Sequence, residues 1–88
     1  MDNQLIMFLR YNSPESVCRR KTPAEVAEVC FRCKRYLEES AELITKVAQG
    51  CAMTAGFARA MFEERQLCVD FITAAQKYAN IQTNLYNE

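Results

Sequence analysis

The sequence predicts an all-α fold built on an antiparallel hairpin of two long helices. Good helix-forming residues are abundant, only two glycines and two prolines interrupt the 88 residues, and apolar side chains recur every three or four residues from residue 23 onward. A chain of this length supports one modest core. We therefore expect a single domain over 1–88, with an N-terminal arm (1–21) followed by the hairpin (22–86).

Two short elements are expected before the hairpin. The first covers about residues 2–11 as a helix, although a short strand also fits, and its apolar face consists of Leu5, Phe8 and Leu9. The chain then breaks near residue 12, because the residue before a proline avoids the α region. Ser13 as the N-cap and Pro14 at the first helical position predict a short helix over about 14–20.

The first long helix is predicted over about 23–48. Thr22 at the N-cap, followed by Pro23 and by Glu25 at the third helical position, has the pattern of a capping box. Gly50 suits the position just after the helix. Apolar residues at alternating spacings of four and three form one stripe along this helix. Its members are Val26, Cys30, Cys33, Leu37, Ser40, Ile44 and Val47.

The second long helix is predicted over about 52–86. Gly56 weakens the first turn by about 1 kcal/mol relative to alanine, so a start at Thr54 is the alternative. The core stripe of this helix again has spacings of four and three. Its members are Phe57, Met61, Glu64, Cys68, Phe71, Ala75, Tyr78, Gln82 and Leu85.

Two long helices joined by a short turn pack antiparallel, and a hairpin alone leaves much of its apolar surface uncovered. The N-terminal arm can cover part of one side. A second copy of the hairpin can cover the rest as a four-helix bundle, and we expect a homodimer.

Five cysteines and no histidine raise the question of a metal or redox site. Cys30 and Cys33 form a C-x-x-C pair, but neither lies at a helix N-terminus, where the helix dipole would lower the pKa of a thiol. Zinc needs two further ligands, and these would have to be two of Cys18, Cys51 and Cys68. Free cysteine packs as a small hydrophobe, so we interpret the thiols as core packing and expect no metal and no cofactor.

Glu64 is the one charged member of a core stripe, and a buried carboxylate is costly unless it is paired. It either reaches solvent or pairs with Lys34, Arg10, Arg65 or an arginine of a partner. Enzymatic chemistry lacks its usual groups, since there is no histidine base, no glycine-rich phosphate loop and no nucleophile motif. We therefore do not expect an enzyme, and the alternative is an electrostatic pocket formed by Arg59, Glu63, Glu64 and Arg65.

Charge is unevenly distributed in a chain whose net charge is zero. Residues 1–36 hold seven basic and four acidic side chains, whereas residues 37–88 hold four basic and seven acidic ones. The alternative function is a small dimeric nucleic-acid-binding regulator. The helix that begins at residue 23 would then enter the major groove, and Glu25 and Glu28 near its start would repel the phosphates. The two basic clusters of this regulator would be Arg19, Arg20 and Lys21, and Arg32, Lys34 and Arg35.

Several large apolar residues lie off the core stripes and point to a protein partner. An exposed apolar patch indicates an interface, and aromatic residues beside arginine are typical of interface hot spots. We expect a non-enzymatic protein-interaction module in the cytoplasm, such as an adaptor, chaperone or inhibitor of the kind found among bacterial and phage accessory proteins, with no membrane partner. The N-terminal arm is expected to cover one of the apolar patches, or else both stay exposed. The candidate partner-binding residues are Phe31, Arg35, Phe62, Arg65 and Val69.

Overall fold

The computed structural model describes residues 1–50 and 55–79, and this part of the chain is all-α, as predicted. Its helices are α1 (Asn3–Tyr11), α2 (Pro14–Arg20), α3 (Pro23–Ala48) and α4 (Ala55–Tyr78). The N-terminal element is therefore a helix and not a strand. Cys51, the alternative helix starts at 52 and 54, and the predicted continuation of the last helix over 80–86 lie outside the described residues.

N-caps fix where the first two helices begin. The Asp2 carboxylate accepts a hydrogen bond from the Leu5 N–H at 3.1 Å, and the Ser13 hydroxyl accepts one from the Ser16 N–H at 3.5 Å. Between the two helices, the Asn12 side-chain amide donates to the Phe8 carbonyl at 2.8 Å. These bonds satisfy groups that a helix end leaves without partners, so the short helices are defined locally.

The start of α3 is a complete capping box. The Thr22 N–H donates to Glu25 Oε1 at 2.9 Å, and the Glu25 N–H donates to Thr22 Oγ1 at 3.2 Å. At the other end, Gly50 has a φ of 79°, a left-handed conformation that glycine adopts without strain. Both signals read from the sequence therefore mark the real ends of this 26-residue helix.

Thr22→Ala is expected to lower the free energy of unfolding by about 1 kcal/mol, because it removes the acceptor for the Glu25 N–H. Urea-induced unfolding followed by circular dichroism measures the loss. Thr45→Ala is the matched control, since the Thr45 hydroxyl donates only to the Ala41 carbonyl within the helix and alanine is the better helix former. An equal loss in both variants would contradict the capping argument.

The long helices pack antiparallel, and the two short helices pack mainly on α4. Contacts across the hairpin join Cys33 to Cys68 and Tyr36 to Glu64, which sets the register between the two helices. The core is formed where all four helices meet. Its fully buried side chains include Leu5, Val17, Val26, Cys33, Tyr36, Cys68, Phe71 and Ile72.

Burial does not extend along the whole hairpin, which corrects part of the predicted core. Ile44 and Val47 are half-buried and Phe57 is 48% exposed. On α3 the buried residues end at Ser40, and on α4 they begin at Met61. The short helices contact the half of the hairpin that holds the buried residues. The apolar periodicity nevertheless continues into the other half, where the described structure has only α3 and α4.

Candidate protein-binding surfaces

Glu64 lies in the seam between the helices and has two partners. The Tyr36 hydroxyl donates to Glu64 Oε1, and Arg10 of α1 forms an ion pair with Glu64 Oε2 at 3.4 Å. Tyr36 itself is only 2% exposed, and burial together with this hydrogen bond raises its pKa. Of the partners expected for Glu64, Arg10 is the one that the structure provides, whereas Tyr36 was not foreseen.

Arg65 also belongs to the seam and is engaged inside the chain. Its guanidinium donates to the Leu37 carbonyl at 2.9 Å and to the hydroxyl of Ser40, which is buried. The Ser40 hydroxyl in turn donates to the Tyr36 carbonyl at 2.8 Å. Arg65, a candidate partner-binding residue, therefore holds α3 and α4 together.

Among the residues that the structure describes, four thiols are buried and free, namely those of Cys18, Cys30, Cys33 and Cys68. Burial raises the pKa of Cys30 to about 11. A hydrogen bond with Cys68, followed by burial, raises the pKa of Cys33. Among the described residues, no group of three or more histidine, cysteine or acidic side chains lies close enough together to hold a metal ion. The burial of these thiols agrees with their interpretation as core packing.

One side of the hairpin is covered by the short helices. Asp2, the N-cap of α1, pairs with Arg32 on α3, with distances of 2.8 and 2.9 Å, and Arg10 of α1 pairs with Glu64 on α4. In α2, the Arg19 guanidinium lies 5.3 Å from the centre of the Tyr78 ring on α4. Arg32, Glu64 and Tyr78 therefore mark the covered side.

The opposite side of the hairpin includes the exposed ring of Phe62. At about 100° per residue, its side chains lie roughly 120–180° around their helices from Arg32 on α3 and from Glu64 on α4. Phe62 is 50% exposed there, and Val69 and Ile44 are half-buried. We call this surface the open face. It comprises Lys34, Ala41 and Ile44 of α3 with Phe62 and Val69 of α4.

A second apolar site lies on the outer edge of α3. Phe31 is 60% exposed, and the Arg35 guanidinium lies 5.6 Å from the centre of its ring. The buried side chains of α1 enter the core from the covered side, so α1 covers neither Phe31 nor Phe62. The five candidate partner-binding residues are thus divided between the open face (Phe62, Val69), this edge (Phe31, Arg35) and the hairpin seam (Arg65).

The first basic cluster, at the end of α2, is used in contacts within the chain. Arg19 forms an ion pair with Glu15 at 2.9 Å, and the side chain of Arg20 donates to Asn12 at 3.2 Å. The Lys21 ammonium lies 6.0 Å from the centre of the Phe8 ring. A phosphate backbone would have to compete with each of these contacts.

The second basic cluster is spread around α3. Arg32 forms two hydrogen bonds with Asp2, which hold the pKa of the Asp2 carboxyl below its usual value, and Arg35 packs on Phe31. Lys34 lies on the open face, roughly 160° around the helix from Arg32. These cations do not form the single basic stripe that suits a nucleic-acid backbone, so the geometry adds no support to that alternative.

A shallow groove between α1 and the start of α3 was not foreseen from the sequence. It has a volume of about 530 Å³, and Phe8 and Val29 form its apolar part. The rest of its lining consists of Gln4, Lys21, Ala24, Glu25, Glu28 and Arg32. The groove depends on where α1 packs, which no local pattern records.

Comparison of the chain with protein-family models, with curated proteins and with solved structures gave no match. Over residues 1–50 and 55–79, no helix combines the length and the apolar character needed to cross a membrane. The function therefore has to be inferred from the surfaces of this chain alone.

Proposed function

We propose that the protein is a non-enzymatic protein-binding module, of the adaptor, chaperone or inhibitor type, that contacts a larger protein through apolar side chains of its hairpin. The observation that carries the proposal is the exposure of Phe31 and Phe62, at 60% and 50%, in a chain whose N-terminal helix covers neither. Both residues lie on long helices, which hold an exposed aromatic side chain in a fixed position.

The surroundings of the two aromatic residues resemble the composition of interface hot spots. Aromatic residues and arginine are enriched at such positions, and Arg35 packs on the ring of Phe31. Phe62 shares the open face with Val69 and Ile44, so a partner would bury several apolar groups together. Contiguous apolar patches of this kind indicate interaction sites more often than isolated surface residues do.

The chemistry of the chain favours binding over catalysis. There is no histidine to act as a base near neutral pH. The buried Cys30 and Cys33 thiols have raised pKa values, which disfavour the thiolate that a nucleophile requires. We further propose a cytoplasmic location, because the free thiols of the described cysteines are the default in a reducing compartment.

Phe62→Asp and Phe31→Asp are expected to reduce the capture of the protein partner by more than tenfold each, because a carboxylate replaces an apolar anchor. Immobilised wild-type protein and the variants are compared for the proteins that they retain from a lysate of the native host, with quantification by mass spectrometry. Circular dichroism should show unchanged helicity, since both positions are exposed.

Tyr11→Asp is the matched control for these variants. Tyr11 is 76% exposed, but it lies on α1 and belongs to neither surface. The proposal expects the same partner to be retained at the wild-type level by this control. Retention by both phenylalanine variants, or an equal loss in the Tyr11 variant, would contradict it.

A further inference from the structure

We infer that the open face binds a second copy of this chain, with α3 against α3 and α4 against α4 in antiparallel orientation, so that Lys34 of each copy faces Glu38 of the other. The inference rests on the proposed function to the extent that the open face is a binding surface. It names a second copy as the occupant of that face and leaves the edge at Phe31 and Arg35 to the larger protein. Three pairs of residues carry it, because all three share one centre.

The register of the hairpin fixes which residues lie at the same height. The Tyr36 hydroxyl reaches Glu64, and Arg65 reaches the Leu37 carbonyl. Tyr36 of α3 therefore lies level with Glu64 and Arg65 of α4. A two-fold axis perpendicular to the helices at this height would exchange residues that lie equally far above and below it.

On α3, Lys34 and Glu38 lie equally far on either side of Tyr36. The two-fold axis would place each lysine opposite the glutamate of the other copy. Neither side chain forms an ion pair within the described part of the chain, although they are four residues apart on one helix. A second copy offers each of them an opposite charge.

On α4, the same centre relates an apolar pair and a charged pair. Phe62 and Val69 are equidistant from the peptide that joins Arg65 to Gln66, and Arg59 and Asp70 are equidistant from the peptide just before Arg65. The centres on the two helices agree within about one residue, or about 1.5 Å along the axis. Apolar groups would then face apolar groups, and opposite charges would face each other along the rim.

A two-fold axis parallel to the helices would give a poorer fit. It would place α3 of one copy against α4 of the other at equal height. Phe62 would then lie level with Glu38 and Glu39, so that an exposed aromatic ring would face carboxylates. The charge pattern therefore selects the perpendicular axis.

Charge reversal tests the arrangement. Lys34→Glu and Glu38→Lys each place like charges opposite each other at two symmetric positions, and each is expected to weaken the dimer by at least tenfold. The double variant Lys34→Glu with Glu38→Lys restores the opposite pairs and should restore the dimer. Sedimentation equilibrium of the full chain over a range of concentrations measures the dissociation constants. Glu28→Lys reverses an exposed charge on another side of α3 and should leave the dimer unchanged.

The outcomes separate this inference from the proposed function. Loss of the dimer in both single variants and recovery in the double variant would support the antiparallel pairing. Loss without recovery, or a dimer that ignores both single variants, would overturn it. A chain that stays monomeric at every concentration would also overturn it. The proposed function would nevertheless stand if Phe31→Asp, which changes a residue outside the open face, still abolished the capture of a different protein.

Discussion

Raising the pH from about 8 to about 11 is expected to remove several kcal/mol from the free energy of unfolding. The cause is a set of buried groups that release protons less readily in the folded chain than in the unfolded one. Burial raises the pKa of Cys30 to about 11. The hydrogen bond with Cys68 and burial raise the pKa of Cys33, and burial and the hydrogen bond to Glu64 raise that of Tyr36.

The direction of the effect follows from proton binding. Above the ordinary thiol pKa of about 8.5, the unfolded chain loses thiol protons that the folded chain keeps, so stability falls as the pH rises. Each such group contributes about 1.4 kcal/mol per pH unit until the pH passes its folded pKa. The stabilisation is therefore fully present below about pH 8 and is lost across the alkaline range.

Urea-induced unfolding at a series of alkaline pH values measures this slope. The double variant Cys33→Ala with Cys68→Ala should be less stable at neutral pH, because it leaves a cavity, but it should lose stability less steeply at high pH. Cys30→Ala also removes one thiol with a raised pKa and should likewise lose stability less steeply than the wild type at high pH. Slopes equal to that of the wild type in all variants would show that other groups cause the alkaline loss.

Local signals gave the helix boundaries because the physics of helix ends is local. Thr22 and Glu25 are three residues apart, and their hydrogen bonds form whatever the rest of the chain does. The same is true of Ser13 with Pro14 and of Gly50 after α3. The bounds of α2 and α3 were therefore predictable, and so was the hairpin, because a short connection leaves two long helices only one way to pack.

Contacts between elements were not predictable, because periodicity shows on which face of a helix a side chain lies but not which residue it contacts. Arithmetic on the stripe placed Glu64 at the hairpin seam, but Tyr36 and Arg10 became its partners only through the docking of α3 and α1. Arg65 was a candidate partner-binding residue, yet it reaches the Leu37 carbonyl. The periodicity of a stripe likewise does not show how much of the stripe other helices cover. For this reason Ile44 was assigned to the core.

The candidate surfaces were foreseen in part for the same reason. Phe31 and Phe62 were identified because both lie off their core stripes, and both are exposed. Their separation onto two surfaces depends on how α3 and α4 are rotated against each other. That rotation is set by packing in the core, and a single sequence does not reveal it.

Glu64→Leu is expected to lower the free energy of unfolding by about 2 kcal/mol, because it leaves the buried Tyr36 hydroxyl without an acceptor. The lost ion pair with Arg10 adds little, since the Arg10 side chain is 43% exposed and water replaces its partner. Glu63→Leu is the matched control, because Glu63 is exposed and should tolerate the same change within about 0.5 kcal/mol.

The double variant Tyr36→Phe with Glu64→Leu distinguishes the cost of an unsatisfied hydroxyl from the loss of a favourable contact. Removing the hydroxyl together with its acceptor leaves two apolar groups in contact, and such a replacement is close to neutral. The double variant is therefore expected to be more stable than Glu64→Leu alone, with a coupling energy of about 1–2 kcal/mol in urea-induced unfolding. Additive losses would mean that Tyr36 and Glu64 act independently, and the hydrogen bond between them would then not account for the position of the carboxylate in the seam.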